Sequence, residues 1–218
     1  MSIKDLMNIK ARIFWRTCDV IEKEAYHSMI LLDRMRGLDF YQIVEYQIDD
    51  GCDYECTHLR MHRMLRGICR EVKPEDSILD VGCGKGRMLW FFSSYGFHQV
   101  DGIEYNPEIA AIARKNMEKL KLRSHIFCMN ACDFTQWENY TWYYFYNPFP
   151  ERVMELCLKK MLESVKIRPR TLHIIYANPV CHQKLLEFGF QEVLVEHGIW
   201  EKLWFPYLSV LKRYRYNP

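Results

Sequence analysis

Three acidic residues, Asp80, Glu104 and Asp133, follow one another along the chain beside short apolar segments. Asp80 precedes the glycine-rich turn Gly82-Cys83-Gly84-Lys85-Gly86. Such a turn between a strand and a helix lets backbone N–H groups come close to a ligand. A carboxylate such as Glu104 can accept hydrogen bonds from both hydroxyls of a ribose, and Asp133 can accept one from an adenine amino group. The set therefore predicts a site for an adenine nucleoside.

The glycine spacing separates two kinds of nucleoside site. A dinucleotide loop has the pattern G-x-G-x-x-G, whereas this loop is G-x-G-x-G and Arg87 occupies the place of the third glycine. The spacing disfavours a nicotinamide oxidoreductase. A purely structural alternative is that the three acids stand only at helix N-termini, where the helix dipole favours negative charge.

Strands and helices alternate along most of the chain. Strands are predicted over 77–81, 98–103, 125–129, 141–146 and 171–177, with helices over 58–71, 87–95, 107–120, 151–165 and 180–188. This alternation predicts an α/β fold with a doubly wound, mostly parallel sheet. Segments 191–197 and 207–212 are predicted to close the sheet as an antiparallel pair.

The chain divides into an N-terminal helical extension, residues 1–53, and a larger α/β domain, residues 54–218. Apolar residues recur at helical spacing up to about residue 36, and Gly37 is a plausible end of that helix. The extension is expected to act as a lid over the ligand or, alternatively, as a dimerisation element.

Composition narrows the class of protein. The chain has 218 residues, a formal net charge of +2 and nine cysteines. The near balance of charge gives little support to a dedicated nucleic-acid binder, and no apolar run reaches the length of a membrane span. Scattered cysteines without a secretory signal indicate a cytoplasmic protein with reduced thiols. The oligomeric state stays open.

Four segments in this order resemble the class I S-adenosylmethionine (SAM)-dependent methyltransferases: Ile78 to Arg87, Gly102 to Pro107, Asn130 to Asp133 and Asn147 to Pro150. The resemblance implies a seven-stranded Rossmann-like sheet whose last strand is antiparallel. It implies SAM as cofactor, S-adenosylhomocysteine as product, and SAM lying across the carboxyl ends of the first three strands. The residues expected to bind the cofactor are Tyr54, Thr57, Asp80, Gly82, Cys83, Gly84, Gly86, Glu104, Tyr105, Cys132, Asp133 and Asn147.

A narrower likeness is to a little-characterised bacterial branch of that superfamily. Its Tyr-Glu-Pro-Thr-like segment resembles Tyr54-Glu55-Cys56-Thr57, and its Asn-Pro-Phe segment resembles Asn147-Pro148-Phe149. Cys56 replaces the proline of the branch. The layout is also loosely similar to the nucleosomal histone lysine methyltransferases of this fold, which brings a protein lysine into consideration as acceptor.

The methyl acceptor is expected near Asn147 and Phe149, at the end of the fourth strand. In amino-methylating relatives an asparagine amide in this place holds a planar NH₂ group and an aromatic ring stacks on it. Alternatively, Asn147 caps the next helix and Phe149 packs in the core. A protein side chain, an amino group or a small molecule is expected as acceptor. RNA or DNA, or a SAM-binding protein without catalysis, are the alternatives.

Two other clusters contain residue types that can bind a metal ion or a nucleic acid. Cys52, Cys56, His58 and His62 contain zinc-binding residue types, but their spacing is not that of a standard finger, and no metal is predicted. The C-terminal run Lys212-Arg213-Tyr214-Arg215-Tyr216 interleaves basic and aromatic residues, as RNA-binding surfaces do. The prediction favoured here is a solvated last strand and tail.

Overall fold

The computed structural model describes residues 27–41, 59–146, 149–197 and 210–218. The chain forms two compact units, Met1–Leu38 and Asp39–Pro218. In the first unit, helix α1 covers residues 27–35 and is followed by Gly37, whose φ of 68° lies in the left-handed region that favours glycine. The predicted domain boundary at residues 53/54 falls outside the described ranges and stays a prediction.

The second unit contains a seven-stranded sheet, as predicted. Its strands are β1 (Ser77–Val81), β2 (Gln99–Glu104), β3 (Ile126–Cys128), β4 (Trp142–Tyr146), β5 (Leu172–Ala177), β6 (Gln191–His197) and β7 (Val210–Tyr216). The spatial order is β3-β2-β1-β4-β5-β7-β6. Strands β1 to β5 pair in parallel, and β7 is antiparallel to both β5 and β6.

Helices cover both faces of this sheet, which gives the three layers of a doubly wound fold. They are α2 (Leu59–Ile68), α3 (Arg87–Phe92), α4 (Pro107–Lys119), α5 (Glu151–Ile167) and α6 (His182–Glu187). The main buried cluster lies between α5, α6 and one face of the sheet. Within the described ranges, none of the helices combines the length and the hydropathy that a membrane span requires.

The aromatic strand β4 fills the core rather than lining a cleft. Trp142, Tyr143, Tyr144 and Phe145 are all buried, because successive residues of a central strand face the two helical layers in turn. The Tyr143 hydroxyl donates to the Trp137 carbonyl at 2.7 Å, so its polar end is satisfied. The abundance of aromatic residues in this segment therefore reflects packing.

The C-terminal basic run is part of the sheet, which corrects the prediction of a solvated strand and tail. Strand β7 extends to Tyr216, opposite Leu172 of β5, instead of ending near residue 212. Tyr214 is buried, and the guanidinium groups of Arg213 and Arg215 lie 2.6 and 2.5 Å from the Glu71 carboxylate. Intramolecular ion pairing and burial account for this run without a nucleic acid.

His173, on β5, is held neutral by its surroundings. Its ring stacks on Trp142 with centroids 4.2 Å apart and an interplanar angle of 13°. Burial and, to a smaller extent, the charges of Arg213 and Arg215 together lower the pKa of His173 from 6.5 to about 4. Protonation of this imidazole is therefore linked to unfolding.

His173 gives the fold a predicted pH dependence. As pH falls from 6.5 to 4 the unfolded chain binds a proton at this residue and the folded chain does not. The free energy of unfolding should therefore fall by up to about 3 kcal/mol from this group. Denaturant titrations of wild type and His173→Phe across this range measure the difference, since phenylalanine keeps the stack on Trp142. Parallel pH profiles for the two proteins would contradict the assignment.

Candidate active site

The loop after β1 is fixed to the neighbouring strand by backbone hydrogen bonds. The amides of Gly82 and Cys83 both donate to the Ile103 carbonyl, at 2.9 and 2.8 Å. Gly82, Gly84 and Gly86 have φ values of 86°, 53° and 86°, a region that side-chain-bearing residues rarely adopt. The three glycines of the sequence pattern are therefore required by the path of the loop.

Gly102 explains how this loop can lie so close to β2. A Cβ atom added to Gly102 would lie 2.6 Å from both Cβ and Sγ of Cys83. Cys83 is itself buried and fills the space that the missing side chain leaves. Cys83, predicted as a cofactor-loop residue, thus has a packing role at the base of the loop.

Glu104, at the end of β2, connects the loop to the start of α4. Its two carboxylate oxygens accept from the Gly84 amide at 2.9 Å and the Asn106 amide at 2.8 Å. The cap of α4 is a different residue, since the Asn106 side chain accepts from the amides of Glu108 and Ile109. Capping of the helix therefore does not explain the acid at position 104.

Asp80 lies beneath the same loop as a buried carboxylate. It is 2% exposed, and its Oδ2 atom has no hydrogen-bond partner among the described residues. Burial raises the pKa of Asp80 well above its ordinary value, and the nearby Glu104 charge raises it further. Burial also raises the pKa of Glu104, partly offset by its backbone hydrogen bonds. A bound cation would stabilise the ionised form of both groups.

The third acid lies at the same edge of the sheet. Asp133 ends a 3₁₀ turn, Ala131–Asp133, and is exposed, while Cys132 in the same turn is partly buried. The Asn130 side chain accepts from the Cys132 amide at 2.8 Å and fixes the turn. Tyr105, which follows Glu104, is 54% exposed. These predicted residues therefore come together at the carboxyl ends of β2 and β3.

The remaining predicted site residues either lie outside the described ranges or pack against the core. Tyr54, Thr57 and Asn147 lie outside the described residues and stay predictions. Phe149 packs against the main core, with its ring 6.1 Å from that of Phe145 in an edge-to-face arrangement. The N-cap position of α5 is Pro150, which makes no side-chain cap bond.

Sequence reasoning missed a group of buried charges at the loop. The Lys85 ammonium is fully buried and lies 3.0 Å from the Asp39 carboxylate. Arg87 is also buried, with its guanidinium carbon 4.3 Å from the centre of the Phe40 ring. Nothing in the local pattern signals these contacts, because the partners are 46 and 47 residues apart in sequence.

The zinc alternative gains no support from the described part of the chain. There, no three or more His, Cys, Asp or Glu side chains are placed to hold a metal ion. Of the four residues of that cluster, Cys52, Cys56 and His58 lie outside the described ranges, as does the His62 side chain.

The sheet order and the loop at the end of β1 define the Rossmann-like fold of the class I methyltransferases. Residues 78–167 match the family described as a methyltransferase domain. In a pairwise comparison, 87 residues are 28% identical to the ribosomal protein L11 methyltransferase of Burkholderia cenocepacia, over 39% of this chain and 29% of that protein. The chain thus spans less than a third of the length of the curated relatives it matches.

Solved structures agree on the fold. The ribosomal protein L11 methylase from Lactobacillus delbrueckii subsp. bulgaricus has a TM-score of 0.55 at 12% identity, over 75% of this chain and 81% of that one. The tRNA (uracil-54, C5)-methyltransferase of Pyrococcus abyssi, in complex with S-adenosylhomocysteine, has a TM-score of 0.53 at 16% identity, over 79% and 44%. Residues 78–167 thus match a methyltransferase domain, and the fold of the chain is that of methyltransferases of known structure.

The contacts of Glu104 lead to a prediction about the affinity for SAM. Glu104→Ala should weaken SAM binding by about 1–3 kcal/mol, the loss expected for a carboxylate that is proposed to accept charge-assisted hydrogen bonds from the ribose. Glu104→Gln, which keeps shape and one acceptor oxygen, should lie between that variant and wild type. Calorimetric titration with SAM measures both. The control is Glu108→Ala, an exposed acid in the first turn of α4, which should bind normally. Wild-type affinity in Glu104→Ala would remove this residue from the site.

Proposed function

We propose that the chain is a SAM-dependent methyltransferase that transfers a methyl group to an acceptor at the carboxyl edge of the sheet. The observation that carries the proposal is the pair of acids around the first loop. Asp80 has a buried, unpartnered oxygen, and both oxygens of Glu104 face backbone amides at the loop and the start of α4. Such a site favours a ligand with a positive charge and hydroxyl groups.

The residues present fit SAM, which carries an ammonium group, a sulfonium and an adenosine but no phosphate. Asp80 would stabilise the ammonium of the methionine part, directly or through water. Glu104 would accept from the ribose hydroxyls, and Asp133 from the adenine amino group, with Tyr105 and Cys132 beside the base. Tyr54 and Thr57 are proposed for the methionine end.

When bound, SAM supplies an electrophilic methyl group on a positively charged sulfur. The residues of the chain need to hold the acceptor in line with that bond and to exclude water, since positioning alone can account for much of the rate. The positive charge disperses during transfer, so a strong acid or base is not required. Asn147 is proposed to position the acceptor through its amide, with Phe149 beside it.

The acceptor is proposed to be a protein side chain, an amino group or a small molecule. The relatives named above act on a ribosomal protein and on a tRNA, so the fold alone does not choose. The C-terminal arginines, of which Arg213 is buried and Arg215 partly exposed, are both paired with Glu71 and offer no reason to prefer a nucleic acid. If the acceptor is RNA or DNA, the affinity of the protein for that nucleic acid should fall steeply as the salt concentration rises.

Calorimetric titration of the purified protein with SAM, S-adenosylhomocysteine and NAD tests the cofactor class. Binding of the first two in the micromolar range, without binding of NAD, is the expected result, because the loop lacks the pyrophosphate-binding glycine spacing. Binding of NAD alone would overturn the proposal. Binding of SAM without turnover on any acceptor class would indicate a non-catalytic SAM-binding protein.

Asn147 provides a test of the acceptor side. Asn147→Ala should leave SAM affinity within about twofold of wild type and lower turnover on the acceptor by about tenfold or more, the effect of losing one positioning hydrogen bond in the transition state. Steady-state kinetics and SAM titration on the same preparation separate the two effects. Unchanged turnover would assign Asn147 a structural role.

A further inference from the structure

Asp39 and Phe40, which are not among the predicted site residues, contact the loop after β1 and the start of α3. Lys85, in the middle of that loop, is fully buried, and its ammonium lies 3.0 Å from a carboxylate oxygen of Asp39, whose side chain is 30% exposed. A buried ammonium is stable only with a close anionic or polar partner. The loop conformation observed here therefore depends on a residue 46 positions upstream.

Asn116, on α4, binds the backbone on both sides of this ion pair. Its Oδ1 atom accepts from the Asp39 amide at 3.0 Å, while its Nδ2 atom donates to the carbonyls of Asp39 at 2.9 Å and Lys85 at 3.0 Å. Asn116 is 1% exposed. A buried amide that satisfies three backbone groups fixes their relative positions, since losing any of these bonds leaves a buried polar group unpaired.

Phe40 adds an apolar contact at the same place. Its side chain is fully buried and stacks on Trp90, with centroids 6.0 Å apart and an interplanar angle of 10°. The Arg87 guanidinium covers the same ring. Phe40 thus holds the segment against the beginning of α3, directly after the loop.

Because Lys85 lies in the middle of the loop, these contacts also affect the proposed cofactor site. Lys85 lies between Gly84 and Gly86, which both have positive φ and no side chain with which to resist a change of path. The Gly84 amide is bonded to Glu104, the residue proposed for the ribose. A displacement of Lys85 therefore changes the surface offered to the cofactor.

We infer that Asp39, Phe40, Lys85, Arg87 and Asn116 form a latch that positions the cofactor loop, so that SAM binding and attachment of residue 39 are energetically coupled. The inference rests on the proposed function, since SAM is the ligand. Coupling is reciprocal: a latch that strengthens SAM binding must itself be strengthened by SAM. These are positioning residues, which act through the loop.

SAM titration of latch variants of the full chain tests the inference. Asp39→Asn leaves the Lys85 ammonium buried beside a neutral amide and should raise the SAM dissociation constant about tenfold, a typical coupling between sites. Lys85→Met, which removes the charge together with its need for a partner, should have a smaller effect. The double variant should bind better than Asp39→Asn alone.

A control variant outside the loop distinguishes an effect on the position of the loop from a general loss of protein stability. Glu71→Gln breaks the ion pair with Arg213 at 2.6 Å, a contact between a buried cation and a partly exposed acid outside the loop. It should lower the unfolding temperature and leave SAM affinity unchanged. Latch variants that lose stability but keep wild-type affinity would overturn the inference while leaving the proposed function intact. Absence of SAM binding by wild type would overturn both.

Hydrogen exchange on the wild-type chain tests the reciprocal effect and does not depend on variants that fold. The Asp39 amide, bonded to Asn116, should exchange about tenfold more slowly with saturating S-adenosylhomocysteine than without it, the same factor as the coupling. Equal exchange rates in the free and bound wild-type protein would contradict the coupling.

Discussion

The carbonyl of Ile103 is the point on which the arrangement of the site depends. Two consecutive amides, those of Gly82 and Cys83, donate to it, so the chain leaving β1 is drawn across the end of β2. This path requires a strand neighbour without a Cβ atom, which is Gly102, and positive φ at the loop glycines. Once the loop lies there, the next amide, that of Gly84, reaches the Glu104 carboxylate. Backbone geometry thus brings together a loop and an acid that are 20 residues apart.

The second constraint is electrostatic. The loop contains or adjoins four ionisable side chains that are largely buried: Asp80, Lys85, Arg87 and Glu104. The two cations are satisfied by Asp39 and by the Phe40 ring, which belong to a distant part of the sequence. Burial raises the pKa of both acids, and the Glu104 charge raises the pKa of Asp80 further. The two cations therefore have partners within the fold, whereas Asp80 keeps one buried oxygen without a hydrogen bond among the described residues.

The sequence predicts those parts of this arrangement that depend on local pattern. Strand β1, the glycine-rich turn after it and the acids beside β1 and β2 follow from short apolar runs and from glycine chemistry. The edge-strand β6 also has its predicted bounds. Strand β7 differs, because its length is set by pairing with β5 over Leu172 to Tyr216, and its arginines find Glu71 across the fold. Long-range pairing of this kind, like the contact between Asp39 and Lys85, leaves no periodicity in either segment.

The distribution of charge also bears on which cofactor the loop can hold. In phosphate-binding loops a lysine after the glycines points its ammonium at the phosphate oxygens. Here Lys85 occupies a comparable place, yet its ammonium is buried against Asp39, and the acidic side chains of Asp80 and Glu104 remain at the loop. A phosphate would meet these acids with its negative charge and would have to displace Asp39 to reach Lys85. A cationic cofactor without phosphate meets no such cost, and its charge relieves the repulsion between the two acids. The charges of this five-residue loop therefore point the same way as its glycine spacing, toward a cofactor with a sulfonium and an ammonium and no pyrophosphate.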